Sequence, residues 1–186
     1  MHLLRPNEGQ LALKAARTYV ESAVTGVKPT AEPEFTDIFS EKRGVFVTLT
    51  KSGDLRGCIG YPYPVIPLGE AIKDAANQAA LHDPRFYPVS PDELAQIKIE
   101  VTILTQPIPL ECEPELRPSA ITVGRHGLIA EMNGRSGLLL PQVAAEYEWT
   151  PEEFLNQTCY KAGLRLDAWK SSACSILTFE GQIFEE

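Results

Sequence analysis

From Leu11 to Val24 the apolar residues fall on one stripe: Leu11, Ala15, Ala16, Tyr19, Val20, Ala23 and Val24. A three-to-four-residue spacing is that of an amphipathic helix. The segment "NEGQLALKAARTYVESAVTG" therefore predicts a first helix, with Asn7 as N-cap, Gln10 as its capping-box partner and Gly26 as its end. Residues 28–43, with Pro29, Pro33 and mixed charges, read as a wrapping segment. The period then changes to two. "GVFVTLT" is β-branched and aromatic, "KSGDL" is a turn, and "LRGCIG" reads as the returning strand of a hairpin. Strict alternation places Arg56, Cys58 and Gly60 on one face and Leu55, Gly57 and Ile59 on the other.

Pro62, Pro64 and Pro67 exclude regular strand and helix interior. Pro67 suits the first turn of "LGEAIKDAANQAALHD", whose Leu68, Ala71, Ile72, Ala75, Ala76 and Ala79 form an inward face of small residues, predicting close packing. "DPRFYPVSPDEL" ends that helix, and Ser90, Pro91 and Glu93 open a short one with a capping box. "IKIEVTILT" alternates Ile97, Ile99, Val101 and Ile103 with Lys98, Glu100, Thr102 and Leu104, a strand with one buried and one partly polar face. Beyond the proline-rich crossing loop 106–120, "ITVGRHGLIAEMNGRSGLLLPQV" supplies strands around a turn at "NGR". Thr150, Pro151 and Glu153 cap a helix that Gly163 terminates, and "CSILTFEGQIFEE" reads as a final strand. Helices mixed with hairpin-type strands predict an α+β fold, a mostly antiparallel sheet flanked by helices.

Composition narrows the function classes. The chain has 186 residues, 44% of them hydrophobic and 23% charged, a size and balance that suit one globular domain. Its formal net charge of −8, with no basic run to offset it, argues against nucleic acid and anionic membrane surfaces as partners. The N-terminal apolar stretch is too short for a signal peptide, and no segment approaches the ~18 apolar residues of a membrane span, so a cytoplasmic protein is expected. Cys58, Cys112, Cys159 and Cys174 are scattered, without a CxxC pair, and predict free thiols and no metal site. There is no glycine-rich phosphate loop, and no cofactor is evident.

The segments "LRGCIG", "AALHDPRFYPVSPDEL", "IEVTILT", "GLLLPQVAAEYEW", "EEFLNQTCYKAGL" and "FEGQIFEE" occur in that order over residues 44–186. Together they resemble the AMMECR domain family, named after the human chromosomal region of Alport syndrome, intellectual disability, midface hypoplasia and elliptocytosis. The likeness is to its archaeal and bacterial members. It implies a single AMMECR domain over residues 1–186, an α+β fold of two unequal lobes around a cleft. The larger lobe would be built from 1–105 with the C-terminal helix and strand, and the smaller from about 106–149. It also implies a three-component system with a Memo-type protein and a radical SAM protein as partners. Radical chemistry would sit with the partner, because this chain lacks the CxxxCxxC motif.

Cys58 is the candidate catalytic residue, a nucleophile or redox thiol whose pKa the cation of Arg56 would lower. The bland alternative is a small apolar residue in a crowded strand end. Arg56, Gly57, Gly60, Asp83, Arg85 and Gln142 are candidate substrate-binding residues. The two glycines would admit a ligand to the backbone, while Asp83 and Arg85 would either orient a substrate or pair to pin the helix end. Gln142 would bind a ligand amide or satisfy a corner of backbone. His82 is a candidate base for a Cys–His pair, although the resemblance does not imply a histidine at that position. Glu100 reads as a surface carboxylate rather than an acid/base group, Cys159, Trp149, Trp169 and Phe154 as core, and His126 as a turn residue. Three functions follow: an enzyme-like component acting on a small molecule or protein side chain through Cys58, a non-catalytic adaptor whose RGCIG face is structural or docks a partner, and a nucleic-acid regulator, which the charge disfavours.

Overall fold

A computed structural model describes residues 3–186 and divides them into two compact units. The first runs to Thr105 and includes the last residues, Gln182–Glu186; the second is Gln106–Gly181.

The first unit opens with α1 (Pro6–Thr25). The helix starts one residue before Asn7, so Asn7 is not its cap. Pro6 occupies the first helical position, where its missing N–H leaves nothing unpaired. Glu8 rather than Gln10 completes the box, its Oε2 accepting from the Arg5 N–H at 2.7 Å and its Oε1 from the Arg5 guanidinium at 2.6 Å. Gly26 ends the helix as expected, at φ +71°. Residues 28–43 wrap the unit and bury Ile38 and Phe39. Then come β1 (Val45–Lys51), β2 (Asp54–Tyr61), α2 (Leu68–Leu81) and, after a 3-10 turn at Pro91–Gln96, β3 (Ile97–Leu104).

The three strands form an antiparallel sheet in the order β2-β1-β3. Val45, Val47 and Leu49 join Ile97, Ile99, Val101 and Ile103 on one face, all buried, and both helices pack against the sheet. The whole expected face of α2 is buried. On β3 the second face is less polar than its alternation suggests. Lys98 is exposed and Glu100 half-buried, but Thr102 and Leu104 are buried, Leu104 against Gly44, whose carbonyl accepts its N–H at 2.8 Å.

The second unit contains β4 (Ile108–Pro109), β5 (His126–Met132), β6 (Arg135–Leu139), α3 (Pro141–Glu146), α4 (Pro151–Lys161) and β7 (Ser175–Glu185). Asn133 and Gly134, both at positive φ, turn β5 into β6. β7 pairs antiparallel with β5 and β4, and its end passes into the first unit, where the Glu186 N–H reaches the Ile99 carbonyl at 3.2 Å. α4 carries the expected cap, Thr150 Oγ1 accepting from Glu153 N at 3.3 Å. It lies in the second unit with β5 and β6, not with residues 1–105 as expected. The reason is contact: a Cβ on Gly137 of β6 would stand 2.3 Å from the Ala162 nitrogen at the end of α4. α3 was not expected, because "LLLPQV" reads as strand until Pro141 is seen to start a helix instead of only stopping one. Among the described residues, no helix is long and apolar enough to cross a membrane.

Candidate functional site

The hairpin register decides what the RGCIG segment presents. Thr48 pairs with Cys58, Leu49 with Gly57 and Thr50 with Leu55, so Arg56 is an extra residue on β2, a β-bulge. Leu55 therefore lies opposite Thr50 and does not share the Gly57 face. Arg56 is drawn to the segment after α2. Its Nε and Nη2 meet Glu93 at 3.1 and 3.0 Å, and its Nη1 donates to the Tyr87 carbonyl at 2.9 Å. Glu93 also receives Lys51 Nζ at 3.0 Å and the Ser90 N–H at 3.0 Å. Arg56 first, with the Ser90 N–H and Lys51, holds the Glu93 carboxyl well below the usual carboxylate range. Arg56 thus serves the scaffold, and the expected Arg56–Cys58 partnership is not the one that forms.

The two glycines make close approaches, but to the protein itself. A Cβ on Gly57 would stand 2.2 Å from the carbonyl oxygen of Ala79, so this glycine lets α2 lie against β2. On Gly60 it would stand 2.1 Å from the Val45 oxygen and 2.7 Å from the Phe46 Cα, both on β1.

β2 is an edge strand, and Cys58 points its N–H and C=O away from β1. The DPRF loop takes both. Cys58 N donates to Asp83 Oδ2 at 2.8 Å, and Arg85 Nη2 donates to the Cys58 carbonyl at 3.1 Å. Two side chains here replace a neighbouring strand and cover the edge. Asp83 Oδ1 accepts the Arg85 N–H at 3.1 Å and Nε at 2.9 Å, and Oδ2 accepts Nη2 at 2.7 Å. Only 2% of the Asp83 side chain is exposed against 52% for Arg85. The guanidinium, helped by the Cys58 and Arg85 N–H groups, holds the Asp83 carboxyl well below the usual range against the opposing effect of burial.

Because Cys58 faces outward in its pair, its side chain and that of Thr48 come close across the strands. Thr48 Oγ1 donates to Cys58 Sγ at 3.3 Å. Arg85 is the neighbouring cation: Asp83 first, and Cys58 to a smaller degree, raise its pKa. Thr48 pairs on its other side with Glu100, so thiol, hydroxyl and carboxylate stand in one row across β2, β1 and β3. The Glu100 carboxylate accepts from Thr102 Oγ1 at 3.1 Å. Cys58 is half-buried. A partly accessible thiol with a hydroxyl donor and an adjacent guanidinium suits nucleophilic attack on a substrate bearing an anionic group.

His82 caps α2 and is exposed, and no interaction with Cys58 is formed. Gln142 is exposed on the first turn of α3, in the second unit. His126 begins β5 rather than a turn; its Nδ1 accepts the Thr122 N–H at 3.2 Å, and burial lowers its pKa. No group of three or more His, Cys, Asp or Glu residues able to hold a metal ion occurs among the described residues. Thr48 is the residue that sequence reading missed. The pairing of Lys51 with Asp54 and Thr50 with Leu55, continued without a bulge, would set Thr48 against Gly57, so only the bulge brings it to Cys58.

The comparisons agree with this architecture. A Methanosarcina barkeri protein is 52% identical over 99% of this chain and 93% of its own length. One from Methanothermobacter thermautotrophicus is 50% identical over 98% and 96%. The crystal structure of an uncharacterised Pyrococcus horikoshii protein superposes with a TM-score of 0.82 at 43% identity, covering 98% of this chain and 93% of that one. The AMMECR1 family profile matches residues 13–184, and on that match and these relatives the chain belongs to the AMMECR1 family.

Proposed function

We propose that this protein is an enzyme-like component of a Memo/radical SAM-associated system, using the Cys58 thiol on a small molecule or a protein side chain. The observation that carries the reading is the setting of Cys58. Its half-buried sulfur accepts a hydrogen bond from Thr48 and neighbours Arg85, which the buried Asp83 fixes in place. The sulfur supplies the attacking electron pair, Thr48 stabilises developing negative charge on it, and the half-exposed Arg85 head is free to meet an anionic substrate group. Asp83 is a positioning residue. The partnership with Memo-type and radical SAM proteins rests on the family resemblance, and no cofactor is proposed for this chain itself. A cytoplasmic location belongs to the same reading.

A second reading, a non-catalytic adaptor, is favoured by a different observation. Arg56, Gly57, Gly60 and Asp83 all satisfy the protein's own packing or backbone, leaving the motif a sufficient structural explanation.

Thiol labelling separates the two. With iodoacetamide at neutral pH, Cys58 of the folded protein should be alkylated at a rate comparable to an unstructured thiol peptide. The Cys58→Ser variant should remove that signal, and Arg85→Ala should slow it several-fold. Labelling of Cys58 only on unfolding would sink the enzyme reading and leave the adaptor.

A further inference from the structure

We infer that a cavity in the second unit binds a small phosphate monoester with an aromatic body, at a site that shares no residue with the one around Cys58. The cavity, of about 570 Å³, is bordered by the β5–β6 turn and by the segment Gly163–Ser171 that follows α4. Its volume is that of a small-molecule site. Met132, Leu164 and Ala168 supply the apolar lining, each half-buried and packed against the core of the unit. A flat apolar group laid on them is therefore supported from behind, and the Met132 thioether suits an aromatic ring.

Charge selects the rest of the ligand. Arg135, Arg165 and Lys170 line the cavity with a single carboxylate, Asp167, in a chain whose formal net charge is −8. Arg135 Nη1 donates to the Gly163 carbonyl at 2.5 Å, and among the described residues its guanidinium has no carboxylate partner. The other two cations are paired only at the surface. Arg165 meets Asp167 at 3.2 Å and Lys170 meets Glu152 at 3.1 Å, and all four side chains are more than half exposed. Water screens such pairs, so an entering dianion displaces either acid at little cost. Three lining cations against one carboxylate match the charge of a phosphate monoester, about −1.5 to −2 at pH 7. Arginine forks hold its oxygens by paired N–H bonds. Ser171 Oγ accepts the Ala173 N–H at 3.2 Å and keeps its own proton to donate.

A further cation stands behind the Lys170 turn. Arg117 is 6% exposed, and its Nη1 donates to the carbonyls of Trp169 and Ser171, on either side of Lys170, the latter at 3.3 Å. Its Nε has no hydrogen-bond partner, and among the described residues the guanidinium has no carboxylate partner. Carbonyl oxygens satisfy N–H groups but do not neutralise a buried charge, so Arg117 offsets Glu152 and adds to the positive field at the cavity wall. It also pins the turn, as Arg135 pins Gly163. Both ends of the segment 163–171 are thus held before a ligand arrives, which lowers the cost of binding one.

Phenyl phosphate is the probe. Titrated into the isotope-labelled full chain, it should shift the backbone amide resonances of residues 132–135 and 163–171, and added salt should weaken it. Inorganic phosphate, which lacks the ring, and benzoate, which lacks the second charge, should each bind several-fold more weakly. Arg165→Gln should weaken phenyl phosphate about three- to tenfold. Asp167→Asn should tighten it about two- to fivefold, a gain that damage to the fold would not produce. No shifts at millimolar probe, or shifts confined to other amides, would overturn the site. Equal affinity for inorganic phosphate would overturn the aromatic body, and equal affinity for benzoate the phosphate. Unchanged affinity in Asp167→Asn would overturn the charge argument.

Discussion

Replacing Asp83 by alanine should cost about 2–4 kcal/mol. The carboxylate accepts four hydrogen bonds: from Cys58 N, from Arg85 N, and from Arg85 Nε and Nη2. Deletion strands the Cys58 N–H on the covered edge of β2, at about 1–3 kcal/mol if water cannot replace the acceptor. The ion pair itself adds less than its short distances suggest. Arg85 is half-exposed, and water takes over much of its solvation when Asp83 is gone. Asp83→Asn should fall lower, at about 1–2 kcal/mol, since its amide oxygen can still accept from Cys58 while its NH2 opposes a guanidinium that has only donors.

The pH dependence has a fixed sign. The folded-state pKa of Asp83 lies below its unfolded value, so the unfolded chain binds the proton more readily in acid. The contribution is present in full above the unfolded carboxylate pKa of ~3.9 and is lost as pH falls towards the folded value. Urea midpoints for the native sequence and both variants, measured from pH 7 down to pH ~3, supply the comparison, provided the m-value holds. The gap between the native sequence and Asp83→Asn should narrow with acid. A cost for Asp83→Ala below about 0.5 kcal/mol would refute the edge-covering role, and so would a gap that stays constant down to pH ~3.

Two further expectations complete this set. Gly57→Ala should cost about 2–4 kcal/mol by denaturant unfolding, because the rigid backbone of α2 blocks its Cβ; Gly53→Ala, at φ +90° with open space around it, should cost only about 1 kcal/mol. Glu93→Gln should cost about 1–2 kcal/mol at pH 7, the sum of weakened bonds to Arg56, Lys51 and Ser90. That difference should fade in acid because the folded pKa of Glu93 is also depressed, and a pH-independent cost would show that its charge is not what binds the bulge.

The elements set by periodicity were legible in the chain. The α2 face from Leu68 to Ala79, the Ser52–Gly53 turn and the Thr150–Glu153 cap lie where spacing and turn chemistry put them. Two kinds of feature were not. Local start signals compete at α1, where Asn7 and Gln10 satisfy the capping pattern as well as Glu8 does, and only Pro6 at the first helical position decides. Long-range choices are not written in any window: α4 belongs with β5 and β6 because Gly137 admits the Ala162 backbone, a contact between segments far apart in sequence. At the candidate site, Cys58, Asp83 and Arg85 were legible as residue types. Their arrangement was not, because a single bulge residue shifts every pairing beyond it.

That bulge also bears on why an arginine, a cysteine and two glycines stand together. Without it Arg56 and Cys58 would share a face, and the guanidinium would compete with Arg85 for the thiol's surroundings. With it, Arg56 leaves for Glu93, Gly57 makes room for α2, and Gly60 makes room for β1. The Cys58 backbone is held by Asp83 and Arg85, and Ile59 packs against the core. Each residue of the segment then has a mechanical duty that accounts for it, except in one respect. The Cys58 sulfur is outside the buried core cluster, and it accepts a hydrogen bond from Thr48. A packing role would be served as well by alanine or serine, neither of which needs a hydroxyl donor at that distance or a guanidinium alongside. The scaffold around Cys58 is therefore explained by folding, and the sulfur is the one atom of the segment left for the proposed chemistry to use.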